Sequence, residues 1–594
     1  MTIVVAEKYS VAHAIDEALR HNGVRNVRVT WVRGHLMDID LPKEFRVWRL
    51  HDIVDILNIR GFTSRIVDWE SYSRLREYLR DSSRLVIATD NDHEGELIGY
   101  EILMLYRRLG NNNKYYRMRF NSIDRDDLIH AWNNLQIGLN WRWVYKAMFR
   151  HRFDLLTGAA YTRLLTLANR GSMASKSHSN KNYNKIISWG SCQTPTLYFI
   201  VKREREILSF KSRYYWYIEA ELEYDGIRFI ATSKHIHNKE EADMLYNRVK
   251  SDYAVVSDYV ESRKVMHRPL PIRTDDALRD LVRITSMNAS KIMQIMEDLY
   301  SKAYISYPRT DTNKYSSTFE FSKPMKEACN GLGIGHMTNA PEPRNGNMDD
   351  GAHPPIYPVK VYRGSGIARD VWEYIARRFL SNAYLDDALL LEQSSRLNIN
   401  DVEFHAHGSR ILEYGYLSLF NYFMPRESLL PVMNVGDKAR VLSVRVVRAK
   451  TKPPSRFDEA ELLDMMERHG IGTDATRADF PTLIVKRGYA VKYSNRFKPT
   501  SMGMALIDAL ESIDARLVTA DTRRLVEETM KSIEYGSIKD YNIALDGTLK
   551  VYSDMLILCK KRMDVIRSIS KVGKVKQDKA DTGSGVGNAS KVDK

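Results

Sequence analysis

Four carboxylates fall within seven residues of the segment ATDNDHEGELI, at Asp90, Asp92, Glu94 and Glu96. They follow an apolar run, Leu85 to Ala88, that reads as a buried strand. They precede or open a stretch, Glu94 to Leu109, in which Leu97, Ile98, Ile102, Leu105 and Tyr106 recur at helical spacing. A strand, an acidic loop and a helix in that order belong to an α/β layer, and open α/β sheets keep their chemistry in loops at strand ends. The chain opens with the same pattern, Ile3 to Ala6 as a strand and then a helix to about Arg20. Extended backbone would point Asp90 and Asp92 the same way. Converging oxygen ligands suit Mg²⁺, which takes one or two carboxylates, keeps water and meets substrate phosphate. A helix dipole also favours acidic residues in a first turn, but that does not require Asp90 at the end of a buried strand.

Composition sharpens the reading. Ninety Lys and Arg against 75 Asp and Glu leave a formal charge of +15, which favours a polyanionic partner, nucleic acid ahead of an anionic membrane surface. An acidic knot inside so basic a chain is best explained by a metal bridging protein and phosphate. At 594 residues and 43% hydrophobic content the chain is expected to form several domains with sizeable cores. No apolar run approaches the ~18 residues of a membrane span, and Glu7 interrupts the N-terminal apolar stretch, so a cytoplasmic protein with no membrane partner is expected. Cys192, Cys329 and Cys559 are too dispersed for a disulfide framework or a zinc ribbon. The phosphate loop GxxxxGK[ST] is missing, so no use of ATP is expected.

Along the chain, Arg170 to Lys185 is rich in Ser, Asn and Lys and reads as an exposed loop. Two blocks rich in Tyr, Ile and Val, near 213–262 and 386–448, read as strands and as halves of one discontinuous β unit. Between them two amphipathic helices are expected, one through Leu278, Leu281, Val282 and Ile284, the other through Ile292, Ile295, Met296 and Leu299. Helical patterning returns after residue 455, with Gly470 as a C-terminal cap. The residues from Lys571 onward lack aromatics and read as a disordered basic tail.

Two further sites carry chemistry. Glu7 and Lys8 follow the first strand, so a parallel sheet would set them beside the acidic loop. In YISYPRTDT, Tyr307 and Arg309 flank a proline that stiffens the backbone between them. A phenol with a pKa near ~10 is a poor nucleophile, and a guanidinium that favours phenolate and grips phosphate is the help it needs. Tyr304 reads as the end of the preceding helix and as core.

With these segments in hand, the sequence resembles the type IA DNA topoisomerases, and within them topoisomerase III of archaea and eukaryotes. The resemblance spans about residues 1 to 565 through an ordered set: VVAEKYSVAHAI, VRGHLMDIDLP, ATDNDHEGELI, FDLLTGAAYTRLLT, SWGSCQTPTL, YISYPRTDT, GAHPPIYP, PPSRFDEAELLDMME and HGIGTDATRA. It implies a multidomain α/β plus α+β torus. The expected parts are an N-terminal Toprim α/β domain over 1–145, a DNA-binding base over 146–205 and 450–565, a β-rich hinge over 206–265 and 385–449, and a helical catalytic tyrosine domain over 266–384. Residues 566–594 complete the chain as the tail.

It also implies roles. Tyr307 would attack a DNA backbone phosphate to leave a 5′-phosphotyrosine and a free 3′-hydroxyl. Arg309 would stabilise charge on the phosphoryl oxygens, Lys8 would protonate the leaving 3′ oxygen, and His353 of GAHPPIYP would contact the scissile phosphate. Glu7, Asp90 and Asp92, with Glu94 close behind, would hold Mg²⁺. DNA contacts carried over are His35, Arg163, Ser188, Ser191, Gln193, Thr194, Thr473, Thr476 and Arg477. The implied substrate is single-stranded and negatively supercoiled DNA, relaxed or decatenated without ATP by a monomer, with a helicase or single-strand-binding protein as the kind of partner that delivers it. Exchange of a phosphodiester for a phosphotyrosyl ester conserves bond energy, which fits the missing phosphate loop.

The sequence departs from the family in places. Many bacterial members have Arg-Val where this chain has Ser191 and Cys192, so a phosphate contact given by that arginine is absent or supplied elsewhere. His93 stands where many relatives have Arg, Asn91 where Pro is common, and the cysteine-rich zinc modules of many relatives are missing. Two other readings stay open on the residues alone. One is a Toprim-bearing primase or nuclease, which leaves YISYPRTDT unexplained. The other is a non-catalytic single-stranded DNA-binding protein that keeps the fold.

Overall fold

The computed structural model describes residues 1–173, 186–473 and 476–570. The stretch 174–185, Asp474, Ala475 and the tail from 571 lie outside the described residues, and with them most of the expected loop and the expected disordered tail. The helix Trp141–Met173 runs through Arg170, further than the loop reading allowed.

The N-terminal part is a five-stranded sheet in the order Val27–Trp31, Thr2–Ala6, Arg84–Ala88, Tyr115–Arg117, Gln136–Ile137, parallel except for its last pair. Strands Thr2–Ala6 and Arg84–Ala88 are neighbours in register, Ala6 opposite Ala88, so Glu7 and the acidic loop leave adjacent strands at the same edge. From the first strand the chain crosses to Val27–Trp31 on one side. From Arg84–Ala88 it crosses to Tyr115–Arg117 on the other. The gap between the two central strands is therefore the point where strand order reverses, and parallel sheets open a crevice there.

The acidic loop ends as a helix cap. Asp92 is the N-cap of the helix His93–Arg108, and its Oδ1 accepts the Gly95 amide at 2.7 Å. Gly95 lets the first turn settle onto the loop, since a β-carbon there would lie 2.1 Å from the Asp90 carbonyl oxygen. A Gly→Ala change inside a helix ordinarily gains up to ~1 kcal/mol. Here Gly95→Ala is expected to destabilise by about 1–3 kcal/mol through overpacking against backbone. A urea-denaturation series on the two proteins checks the sign, and a gain in stability would show that the loop yields freely.

Strands from both β-rich blocks close one six-stranded barrel, in the order Tyr253–Met266, Ala388–Ile399, Val402–Glu413, Ile227–Ser233, Tyr214–Tyr224, Lys438–Lys450. Ile218, Ala220 and Leu222 alternate into its core, as a period of two demands. The chain between the two barrel segments supplies the helices Thr274–Thr285, Ala289–Tyr300, Ser322–Leu332 and Ile367–Tyr384. The helix before YISYPRTDT ends at Tyr300. Tyr304, expected at that helix end, follows an Ala303 with φ of 61° and lies half-buried with its ring 4.9 Å from Tyr362. Val4, Ala6, Val86 and Ala88 of the sheet share one apolar cluster with Ile292, Met296, Tyr300, Ile305 and Tyr307. That shared core seats the tyrosine segment on the sheet's chemical edge.

Candidate active site

Backbone hydrogen bonds lay the tyrosine segment down first. Ser306 N donates to Tyr357 O at 3.0 Å, and Tyr307 N to Asn121 O at 2.9 Å, the latter in the loop after the Tyr115–Arg117 strand. The Tyr307 hydroxyl then donates to Asp92 Oδ2 at 2.7 Å, across 215 residues of sequence. Its ring stacks 4.7 Å from His353 and meets Tyr300 edge-on at 5.1 Å. Tyr307 is only 5% exposed. Burial, then the Asp92 and Asp90 charges, push its hydroxyl well above the ordinary phenol value, and Arg309 opposes them without prevailing.

The sheet edge supplies the carboxylates. Lys8 Nζ lies 3.1 Å from Asp90 Oδ2, and Glu7 Oε2 accepts the Asp90 amide at 3.1 Å. Burial, reinforced by Asp90, raises the Glu7 carboxyl to about 8, despite the attraction of Lys8. Burial works against the Lys8 charge, but Asp90, Glu7 and Glu297 outweigh it, so the ammonium is held above its usual range. Beneath the loop, fully buried Arg117 donates to the Asp90 carbonyl at 2.7 Å and to Glu96 at 2.9 Å, and Arg119 joins Glu96 at 2.7 Å. Glu96, the fourth carboxylate of the acidic run, thus anchors the loop from below.

Other expected residues divide by what they touch. Arg309 pairs with Glu297 on the preceding helix, Nε to Oε1 at 2.9 Å. In this arrangement its guanidinium turns to a carboxylate while the phenol stays protonated, unlike the phenolate partnership expected from the sequence. His353 is positioned by Asp350, whose Oδ1 accepts the His353 amide at 2.8 Å and whose Oδ2 lies 3.4 Å from Nδ1; its buried Nε2 finds no hydrogen-bond partner among the described residues. Glu94 does not face Glu7. Its oxygens meet His151 Nε2 at 2.9 Å, Arg150 Nη1 at 3.1 Å and His35 Nε2 at 3.3 Å.

The expected DNA contacts are scattered by the fold. Ser188, Gln193 and Thr194 are buried and bond to one another or nearby backbone, Gln193 Nε2 to Ser188 O at 3.3 Å and Gly190 N to Thr194 Oγ1 at 3.3 Å. Arg163 donates to Phe45 O at 2.6 Å and lies over the Trp48 ring. Arg477 is spent internally, on Asp275 and on the carbonyls of Ile471 and Gly472. Thr473 and Thr476 cap one another, Thr473 N to Thr476 Oγ1 at 3.2 Å, at the start of a short 3₁₀ turn. Ser191 Oγ accepts from Arg523 Nη1 at 2.8 Å, so a guanidinium does stand beside the Ser-Cys pair, brought by the helix Asp521–Glu534.

Sequence reasoning missed Glu297, Asp350 and Arg523. Glu297 had a signal, since it lies on the helix that leads into the tyrosine segment, and so did Asp350, which directly precedes GAHPPIYP three residues before His353; Arg523 had none.

A DNA topoisomerase family profile matches residues 138–544, and a Toprim domain profile matches residues 2–123. The chain belongs to the type IA DNA topoisomerases. Among relatives of this type IA topoisomerase, DNA topoisomerase 1 of Archaeoglobus fulgidus is 30% identical over 88% of this chain and 76% of its own length. DNA topoisomerase 3 of Caenorhabditis elegans is 30% identical over 91% of this chain and 72% of its own. The fold matches full-length topoisomerase I of Thermotoga maritima with a TM-score of 0.73 at 23% identity, over 93% of this chain and 90% of that one. The N-terminal sheet with its acidic edge is thus a Toprim domain. No helix among the described residues is long and apolar enough to cross a membrane.

Proposed function

We propose that this chain changes DNA topology by transient single-strand cleavage, with Tyr307 as nucleophile. The observation that carries the reading is the Tyr307 hydroxyl held 2.7 Å from Asp92, which seats the one phenol of YISYPRTDT that reaches the Toprim crevice among its carboxylates. The phenol leaves its proton on Asp92, the acceptor of its hydrogen bond, and attack by its oxygen forms an O–P bond as the P–O3′ bond breaks, giving a 5′-phosphotyrosine and a 3′-hydroxyl. Lys8, kept charged beside the crevice, is placed to give its proton to the departing 3′ oxygen. Religation runs the same steps backwards, and no nucleotide is consumed because each bond broken is matched by one formed.

The crevice fits Mg²⁺. Asp90 Oδ1 is buried with no hydrogen-bond partner among the described residues, and burial, followed by the Asp90 charge, holds Glu7 back from ionising; together they are a set of hard oxygen donors suited to a cation. Glu7, Asp90 and Asp92 would hold it. When bound, the ion supplies a positive centre that polarises a phosphoryl oxygen. Arg309 and His353, whose ring lies against the tyrosine, are the protein's own groups for the same phosphate.

Burial of Tyr307 means that the strand reaches it only after the tyrosine segment lifts from the Toprim edge. The contacts to be broken include Tyr307 to Asp92, Tyr307 N to Asn121 O, Asn91 Nδ2 to Ala352 O at 3.1 Å and Lys323 to Asp124 and Asp126, together with part of the shared apolar core. Arg309 must also leave Glu297 to meet phosphate. Glu297→Gln, which keeps the shape and removes the competing charge, is expected to tighten binding of a short single-stranded oligonucleotide about fivefold, the equivalent of ~1 kcal/mol for a partly exposed pair. Fluorescence anisotropy at fixed salt measures it, and weaker binding would assign Glu297 to holding Arg309 in place for the phosphate.

The decisive experiment maps the adduct. Protein is mixed with single-stranded DNA and Mg²⁺ without ATP, quenched with denaturant and digested, and the peptide that carries nucleotide is sequenced by mass spectrometry. Nucleotide on Tyr307 through a 5′ phosphate is expected. DNA binding with no adduct on any residue would leave a non-catalytic single-strand binder.

A further inference from the structure

The geometry points to a second metal site beside the Mg²⁺ crevice, built from His35, Glu94 and His151 and suited to a divalent transition ion of the zinc class. The ligand atoms of the three residues lie within 4.8 Å of one another. They come from three separate parts of the chain: the loop after the Val27–Trp31 strand, the first turn of the His93–Arg108 helix, and the long Trp141–Met173 helix. Both histidines aim Nε2 at Glu94 Oε2, at 3.3 and 2.9 Å, while Arg150 takes the other oxygen.

The surroundings are those of a metal ligand set. His35 Nδ1 lies 2.8 Å from Glu101 Oε1, and Glu101 is itself fixed by the amides of Leu36 and Met37, at 2.8 and 3.1 Å. A carboxylate behind an imidazole, setting its tautomer and orientation, is the usual support of a metal-bound histidine. A third imidazole, His93, stands with Nε2 3.8 Å from Glu94 Oε1. That nitrogen is buried and has no hydrogen-bond partner among the described residues. It stands on the Glu94 Oε1 side, outside the close group of three, so the site proposed is the His35, Glu94 and His151 set alone.

Donor chemistry separates this site from the crevice. Imidazole nitrogens select zinc, copper, iron or nickel, whereas Mg²⁺ demands oxygen. Glu7, Asp90 and Asp92 offer oxygen only. Glu94, grouped with those carboxylates from the sequence, has its oxygens committed to the histidine side. An ion here would tie the N-terminus of the helix capped by Asp92 to the helix Trp141–Met173, and so brace the edge on which Tyr307 rests.

The test uses the full chain, stripped with a chelator and dialysed against one equivalent of zinc in a large excess of Mg²⁺. One zinc per chain is expected to remain, and X-ray absorption at the zinc edge is expected to count at least two imidazoles. Asp90→Asn with Asp92→Asn should keep the zinc, while His35→Gln with His151→Gln should lose it. Glu101→Gln, which leaves every ligand atom in place, should weaken it about 10–100-fold. Loss of zinc to Mg²⁺, fewer than two imidazoles in the wild-type spectrum, or zinc that follows the aspartates would overturn the site. The absorption measurement needs no variant, so a misfolded double mutant does not blunt it.

Discussion

Tyr307→Phe is expected to remove covalent DNA adduct and relaxation together, by about 10⁶-fold, which is the scale of deleting a covalent nucleophile and in practice the assay floor. The substitution takes away one oxygen. Phe keeps the ring against His353 and Tyr300, so the segment's packing is retained. Asp92 loses a donor but keeps the Gly95 amide, and the expected stability cost is about 1–3 kcal/mol, enough to detect by denaturation and too little to unfold a chain of this size. Because a variant that binds DNA normally but cannot cleave separates chemistry from recognition, single-strand affinity is measured on the same preparation. Residual adduct would move the nucleophile elsewhere. Tyr300, whose ring meets Tyr307 edge-on and which is equally buried, would be the next to mutate.

That pair of tyrosines shows what the sequence made legible and what it did not. The acidic loop could be placed from local pattern alone, because a buried strand, a polar loop and a helix are adjacent in sequence and the strand-end position follows from the period. The position of Glu7 beside it needed only the assumption of a parallel sheet, and Ala6 and Ala88 do pair in register. The contact between Tyr307 and Asp92 spans 215 residues and was reachable only through the resemblance. Charge pairing was harder still. Arg309 was assigned to the phenol because the two share a motif, yet Glu297, one helix earlier, claims it here. Motif membership also says little about exposure. Ser188, Gln193 and Thr194 fall in matching segments but spend their polar atoms on one another and on nearby backbone. The histidines at 35, 93 and 151 carry no spacing at all, and only the fold gathers them at Glu94.

Without metal, the chain is expected to lose stability as pH rises from about 4.5 to about 8, and Mg²⁺ is expected to reverse the loss. Glu7 is the cause. An unfolded glutamate titrates near ~4.3, whereas burial, and after it Asp90, raise the folded value to about 8. Between those values the folded chain holds a proton that the unfolded chain has released. Stability changes with pH in proportion to protons bound by the unfolded state minus those bound by the folded state, so the slope is negative in this window. The contribution is present in full below the unfolded value, declines across the interval and is gone above about 8. At roughly 1.4 kcal/mol per pH unit the total is a few kcal/mol. Lys8, whose folded value is raised, titrates far above this window. Asp92 acts on its acid side, because burial of its charge is outweighed by His93, the Gly95 amide and the Tyr307 hydroxyl, which hold it low. A cation in the crevice favours the ionised carboxylate, so Mg²⁺ should stabilise more at each higher pH and should release close to one proton on binding near neutrality. Urea midpoints in chelator and in Mg²⁺ across the range give both slopes. Glu7→Gln should remove the part of the chelator slope that lies below about 8, leave the part due to His35, and abolish the proton release. A metal-free stability that rises with pH, or a glutamine variant that keeps the whole slope, would place the missing charge on another group and remove Glu7 from the cation's ligands.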